Sequence, residues 1–206
     1  MTSNRDAVLA AAQRTLNVDP GASVADIAQA AGVSRATVHR HFESREALLV
    51  ELGTRSLDQW EQRMDAGDLE AVAASGDAAR IRALLEALVR GYVEDADTYG
   101  FALTDHVILA NADLVARTER LADRETGLFV AAQAAGVLSP ALPGRWFGHA
   151  VYGLLVAGRE AVRLGDVAPR EAADLVLTTL FSGITAPSST APSSTAPSST
   201  APGAPA

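Results

Sequence analysis

Val24-Ala25-Asp26-Ile27-Ala28-Gln29-Ala30-Ala31-Gly32-Val33-Ser34-Arg35-Ala36-Thr37-Val38-His39-Arg40-His41-Phe42 reads as two short helices joined by a tight turn. Ala28 is small enough for the helices to approach closely, and Gly32, four residues on, permits the turn. Ile27, Ala31, Val33 and Val38 supply a small core. This is the steric prescription of a helix-turn-helix, in which a turn of about 3–4 residues joins helices crossing at ~90–120°. With Val38 pointing inward, a step of about 100° per residue puts Ala36 and Arg40 on the far side, flanked by Thr37 and His39. Ser34, Arg35, Ala36 and Thr37 then form the N-terminal turn, the part of such a helix that reaches base edges in the major groove. Arg35 or Arg40 suits guanine, Thr37 suits a thymine methyl or a phosphate, and Ala36 leaves room for close approach. Ser23, Ser34 and Ser44 stand at helix starts, where a hydroxyl serves equally as a cap or as a phosphate contact.

Outward from this segment almost everything reads helical, because long Ala/Leu/Val/Arg/Glu runs replace the β-branched and aromatic alternation that strands need. A first helix is expected to open at Ser3, with Ser3-x-x-Asp6 resembling a capping box, and to show Val8, Leu9, Ala12 and Leu16 on one face before Asp19-Pro20-Gly21 breaks it. The second runs from Ser23 to Ala31, the third from after Ser34 to near Phe42, and the fourth from about Ser44 to Met64. Beyond Gly76, helices are predicted at about 78–95, 97–109, 112–135, 144–164 and 168–182, with breaks at Gly136, at 140–144 and at 165–169. From Thr185 a Thr-Ala-Pro-Ser-Ser repeat begins, whose small side chains cannot offset ordering entropy. A disordered tail is expected there, with a glycosylated stalk as the alternative.

Composition narrows the class. The 206 residues allow one medium domain, or a small domain and a larger one sharing a core. With no cysteine, disulfides and thiolate metal sites are excluded. The start shows no basic segment leading into an apolar one, and the apolar stretch from Trp146 to Gly158 is too short to span a membrane, so a cytoplasmic protein without membrane partners is expected. The net charge of −8 argues against nucleic acid until it is divided along the chain. Residues 1–50 hold five arginines and five acids, which leaves 12 arginines and 20 acids to carry the whole −8. A DNA-facing surface therefore belongs in the neutral first segment.

The pattern Ile27-Ala28-x-x-Ala31-Gly32-Val33-Ser34-x-Ala36-Thr37-Val38-His39-x-His41-Phe42-x-Ser44-Arg45-Glu46-x-Leu48 resembles the signature of the tetracycline-repressor (TetR) family, in detail over residues 5–52. The resemblance implies an all-α protein, with a three-helix DNA-binding domain at 1–45 and a helical effector-binding and dimerisation domain at 46–184, and the repeat read from composition adds a tail at 185–206. It implies a homodimer on palindromic double-stranded operator DNA, released by an unidentified small-molecule effector, with neither cofactor nor metal. Arg35, Thr37, His39, Arg40, His41 and Arg45 are the DNA-contact candidates by this analogy, joined by Ser23 and Ser34 as helix starts. Two positions depart from the family pattern: His39 stands where Tyr is usual, and Arg45 where Lys is usual.

Further on, Ala150, Gly153, Ala157, Gly158 and Ala161 are small residues at near-helical spacing, and Leu175, Val176, Leu177, Leu180 and Phe181 follow on the next helix. A dimer interface and ordinary packing within one chain both account for them. A reader with one recognition helix gains its site from two-fold symmetry, with half-sites ~34–36 Å apart, which favours the dimer. Trp60, Phe101, His106, Trp146 and His149 are the candidate effector linings, with Tyr92, Phe129 and Tyr152 beside them. His106 and His149 lack the spacing of a metal pair and read equally as surface or packing residues. A rival reading is a small all-α enzyme or ligand carrier whose helix-turn-helix is merely structural. It predicts no salt-sensitive, sequence-specific DNA binding.

Overall fold

Short polar side chains set the helix boundaries. Asp26 N donates to Ser23 Oγ (3.3 Å) while Ser23 N donates to Asp26 Oδ2 (2.8 Å), a reciprocal box that opens α2, Val24–Ala30. Ser34 accepts from Thr37 N (3.1 Å) to open α3, Arg35–His41, and Ser44 accepts from Ala47 N (3.0 Å) to open α4, Arg45–Ala66. Each such cap contributes about 1 kcal/mol. Between α2 and α3 the chain reverses at Gly32, whose φ of +67° lies in the left-handed region, and Val33 N closes the turn onto Ala28 O at 3.0 Å.

The computed structural model describes residues 4–183, and among these all regular structure is helical. The expected helix start at Ser3 and the repeat tract from 185 lie outside the described residues. α1, Asn4–Val18, buries Val8, Leu9, Ala12 and Leu16 as its periodicity requires. The later elements are α5, Leu69–Ser75; α6, Ala78–Tyr99; a 3-10 turn, Gly100–Leu103; α7, His106–Ala110; α8, Ala112–Ala134; α9, Gly144–Leu164; and α10, Pro169–Ser182.

Two of these differ from expectation. A single helix over 97–109 does not form. α6 runs on to Tyr99, the chain tightens into the 3-10 turn, and Asp105 accepts from Val107 N (2.9 Å) and Ile108 N (3.2 Å) to start a separate five-residue helix. Asn111 then ends α7 and caps α8 through Leu114 N (3.0 Å). α5 was not anticipated. Gly67 and Asp68 break the chain before it, Asp68 at φ 48°, and Leu69 and Val72 turn it onto the core.

The interior divides into two apolar clusters. The lower one joins α1–α3 to the first half of α4 through Leu48, Leu49 and Leu52, and takes in Phe101, Ala102, Ile108 and Leu114 from the body. α4 approaches α7 and α8 so closely at Gly53 that an added Cβ would lie 2.8 Å from Leu114 Cδ1. The core beneath the DNA-binding candidate continues across α4 into the body. The upper cluster is formed by Met64, the apolar faces of α5, α6 and α8, and the inner faces of α9 and α10.

The C-terminal helices each have an inner and an outer face. Val151, Val176 and Leu177 are buried within the chain, while Tyr152, Gly153, Ala157 and Leu175 face outward.

Candidate nucleic-acid interface and an interior polar cluster

α3 stands on Val38, which is 1% exposed, and presents Arg35, Ala36, His39, Arg40 and His41 to solvent. The helix carries its own polar lattice. Arg35 Nε donates to His39 Nε2 at 3.3 Å, and Arg40 Nη2 donates to Thr37 Oγ1 at 3.1 Å. Thr37 is buried rather than flanking: its hydroxyl lies 2.9 Å from Ser34 Oγ, so it braces the first turn and aims Arg40. Ser23 has the geometry of a cap, its hydroxyl donating to Asp26 Oδ2 at 2.7 Å, and that bond holds the Asp26 carboxyl below its ordinary value.

Arg45 is turned away from α3. Its Nε and Nη2 donate to the carbonyls of Ala22 (3.0 Å) and Pro20 (2.7 Å), clamping the start of α4 to the loop before α2. Next to it, Glu46 is held below its ordinary value, first by its own backbone N–H and then by the Ser44 hydroxyl. Phe42 ends α3 in the lower cluster, with the Arg5 guanidinium over its ring at 5.1 Å.

A second tie joins this unit to the body. Asn17, near the end of α1, donates through Nδ2 to the carbonyls of Asp97 (2.8 Å) and Thr98 (2.7 Å) in the last turn of α6. Its Oδ1 accepts from Phe101 N (3.2 Å), and its own carbonyl accepts from Arg159 Nη2 of α9 (3.1 Å). One asparagine therefore connects α1 to α6, the 3-10 turn and α9.

The five candidate effector linings do not converge. Phe101, 1% exposed, fills the lower cluster beside Leu48 and Ile108. His106 lies exposed on α7. Trp146, 53% exposed, and His149 line an open groove of about 380 Å³ between α9 and α10, with Leu142, Gly153 and Thr179. Only Trp60 points into the body. Its Nε1 donates to Tyr92 Oη at 3.1 Å, and Tyr92 Oη donates to Glu125 Oε1 at 2.7 Å.

Sequence reasoning passed over Glu125. It is 5% exposed on the apolar stripe of α8, between Leu121 and Leu128, and burial pushes its carboxyl up to about 7. The Tyr92 phenol is raised well above its ordinary value by the same burial and then by Glu125. Arginines frame the cluster on the outside: Arg117 joins Asp58 and Glu61 of α4 to α8, both at 2.6 Å, and Arg124 joins Asp65 and Glu70 to α8, both at 2.8 Å. Among the described residues no group of three or more His, Asp or Glu side chains is placed to hold a metal, and no helix is long and apolar enough to cross a membrane.

Comparison with known proteins places this geometry. Residues 19–52 match the family described as bacterial regulatory proteins, tetR family. Over 181 residues the chain is 31% identical to the HTH-type transcriptional repressor LfrR of Mycolicibacterium smegmatis, spanning 87% of this chain and 89% of that protein. The chain belongs to the TetR family. It is a helix-turn-helix, DNA-binding transcriptional regulator, and the TetR plan of an N-terminal DNA-binding unit on a helical body is the plan described above. The TetR-like regulator LfrR from Mycobacterium smegmatis, crystallised with proflavine, superposes with a TM-score of 0.66 at 29% identity, over 89% of this chain and 98% of that one. AibR, solved with isovaleryl coenzyme A and operator DNA, shares the TetR fold with a TM-score of 0.66 at 19% identity, over 87% of this chain and 98% of that one.

Proposed function

We propose that this TetR-family protein is an effector-released repressor that binds a palindromic operator as a homodimer. The observation that carries the reading is the division of α3: Thr37 and Val38 pack down, while Arg35, His39, Arg40 and His41 stand out from a chain that is otherwise acidic. Arg35 and Arg40 are assigned to base edges and phosphates, and His39 and His41 to phosphates. Ser23 and Ser34 cap, Thr37 aims Arg40, and Arg45 sets the angle between α2 and α4. The outward face of α9 and α10 is assigned to the second subunit. It leaves Trp146, Tyr152, Leu164 and Leu175 between 45% and 59% exposed, which suits a four-helix interface.

The effector acts on the upper body. α4 runs from the Arg45 clamp to Trp60 and Met64, so a change among α4, α6 and α8 shifts the two recognition helices of the dimer relative to one another. An effector that prefers one spacing then lowers operator affinity by that preference.

Fluorescence anisotropy on the duplex upstream of the protein's own gene, against a scrambled duplex and across a salt series, tests the reading. Specific binding that weakens with salt is expected. The Arg35→Ala/Thr37→Ala/Arg40→Ala variant is expected to lose it while keeping its helical circular dichroism. No preferred duplex in a genome-wide DNA selection would sink the reading. Sedimentation at the same concentrations checks the dimer, which Tyr152→Glu is expected to dissociate.

A further inference from the structure

We propose that Glu125 is the counter-charge of an interior site for a flat, lipophilic organic cation, walled by Trp60, Tyr92, Phe129 and Phe147 and bounded on α9 by Gly148. This deepens the effector-released reading and takes its regulatory meaning from it.

The carboxyl stands in an apolar cluster, and no arginine or histidine pairs with it among the described residues. An apolar side chain of similar size would fold the body more stably, so packing alone does not account for an acid here. Its hydrogen bonds, unlike its burial, favour negative charge on it. Tyr92 donates to Oε1, and Trp60 donates to Tyr92 in turn, so the carboxylate is held as an acceptor by a hydroxyl that is itself oriented. The other acid acting on Tyr92, Asp95, is neutralised by Arg63 from α4 (2.5 Å) and leaves Glu125 as the uncompensated group. Burial lifts the carboxyl to about 7, so near neutral pH a large share of the molecules still hold the proton, which leaves to solvent when a cation arrives.

The walls define the ligand. Phe129 and Phe147 meet with ring centroids 6.0 Å apart, and a Cβ added at Gly148 would lie 3.7 Å from Phe129 Cε2 and 3.9 Å from Glu125 Oε2. Carboxylate and aromatic faces therefore converge on a helix position without a side chain, where an added atom makes ordinary contacts. Aromatic faces attract cations, most strongly when water is excluded. A compact ammonium would lose a hydration shell that this site cannot replace. A delocalised, weakly hydrated aromatic cation loses little.

The test compares 10-methylacridinium, permanently charged, with acridine at pH 8.5, where acridine is uncharged, by fluorescence titration of the full chain. The wild type is expected to bind the cation more tightly than the neutral compound. Glu125→Gln keeps the acceptor for Tyr92 and removes the charge. It is expected to weaken the cation by about 30-fold or more, the factor for removing one partner of a buried charge pair, and to leave acridine unchanged. Calorimetry at pH 7 in buffers of different ionisation enthalpy is expected to show proton release with the wild type and none with Glu125→Gln. Equal affinity for the two compounds, binding of neither, or an unchanged preference in the variant overturns the proposal. Operator binding, measured separately, distinguishes the two readings. A protein that binds its operator but shows no charge preference loses only this site, and one that shows the preference but binds no operator loses only the regulator.

Discussion

The two halves of α4 enter interiors of opposite character. Leu48, Leu49 and Leu52 lie in a cluster of apolar side chains, closed tightly enough at Gly53 that an added methyl group would require Leu114 to shift. One turn beyond Leu57, Trp60 begins a hydrogen-bonded chain that ends on a buried acid, and the helix is tied to its neighbours by arginine pairs. Close packing without polar obligations makes the lower half a rigid mount for α3. The upper half holds an arrangement whose stability depends on charge, which suits a part that must have two states.

The sharpest way to break this contrast is to damage the rigid half. Phe101 reaches from the body into the lower cluster and is 1% exposed, so Phe101→Ala leaves a cavity under α1 and α4 and is expected to cost about 3–5 kcal/mol in denaturant unfolding. If the loss is below about 1 kcal/mol, the lower cluster is not close-packed.

Glu125→Gln addresses the other half, and its effect has the opposite sign. Folding raises this carboxyl from 4.5 to about 7, so the folded state holds its proton more firmly than the unfolded state. The stability associated with the proton is fully present below pH 4.5, is lost as pH rises through about 7, and is absent at pH 8. Glu125→Gln escapes that loss. It is expected to be more stable than the wild type by about 3 kcal/mol at pH 8 and about equal to it at pH 4.5. Thermal melts across this range check it, and a difference that does not vary with pH would show that the carboxyl is compensated.

Legibility in the sequence follows the same division. The helix-turn-helix was readable because Ala28, Gly32 and Val38 act within a few residues of one another, and the serine caps fall where their spacing put them. Thr37 was misplaced because one helical step from Val38 leaves a side chain between core and solvent, and only its contact with Ser34 settles which. The break over 100–111 was hidden by an apolar pattern that continues through it, since an aspartate or asparagine looks the same whether it caps or faces water. α5 was too short to display a period. The candidate linings scattered because aromatic residues signal apolar surroundings without saying which side of which helix they occupy. Glu125 did leave a signal: an acid four residues after Leu121 and three before Leu128 sits on the stripe that should be apolar. Its partners, 32 or 33 residues apart in sequence, become visible only in the fold.

The smallest expected effect on stability tests how the two halves communicate. α4 is one route, and Asn17 is a second that bypasses it, joining α1 directly to the last turn of α6, to Phe101 and to Arg159 of α9. Asn17→Ala removes three of these hydrogen bonds in a partly solvated place, which predicts a loss of only about 1 kcal/mol because water re-pairs the carbonyls. Its consequence for regulation is larger if movement in the body reaches α1 through this residue. Coupling energies between two sites are typically about 1–3 kcal/mol, and Asn17→Ala is expected to remove a substantial part of that while leaving operator affinity without effector nearly intact. The effector's effect on operator affinity and the operator's effect on effector affinity must fall by the same factor, so the two titrations check each other. Unchanged coupling in Asn17→Ala would assign the transmission to α4 alone and leave Asn17 as a tether.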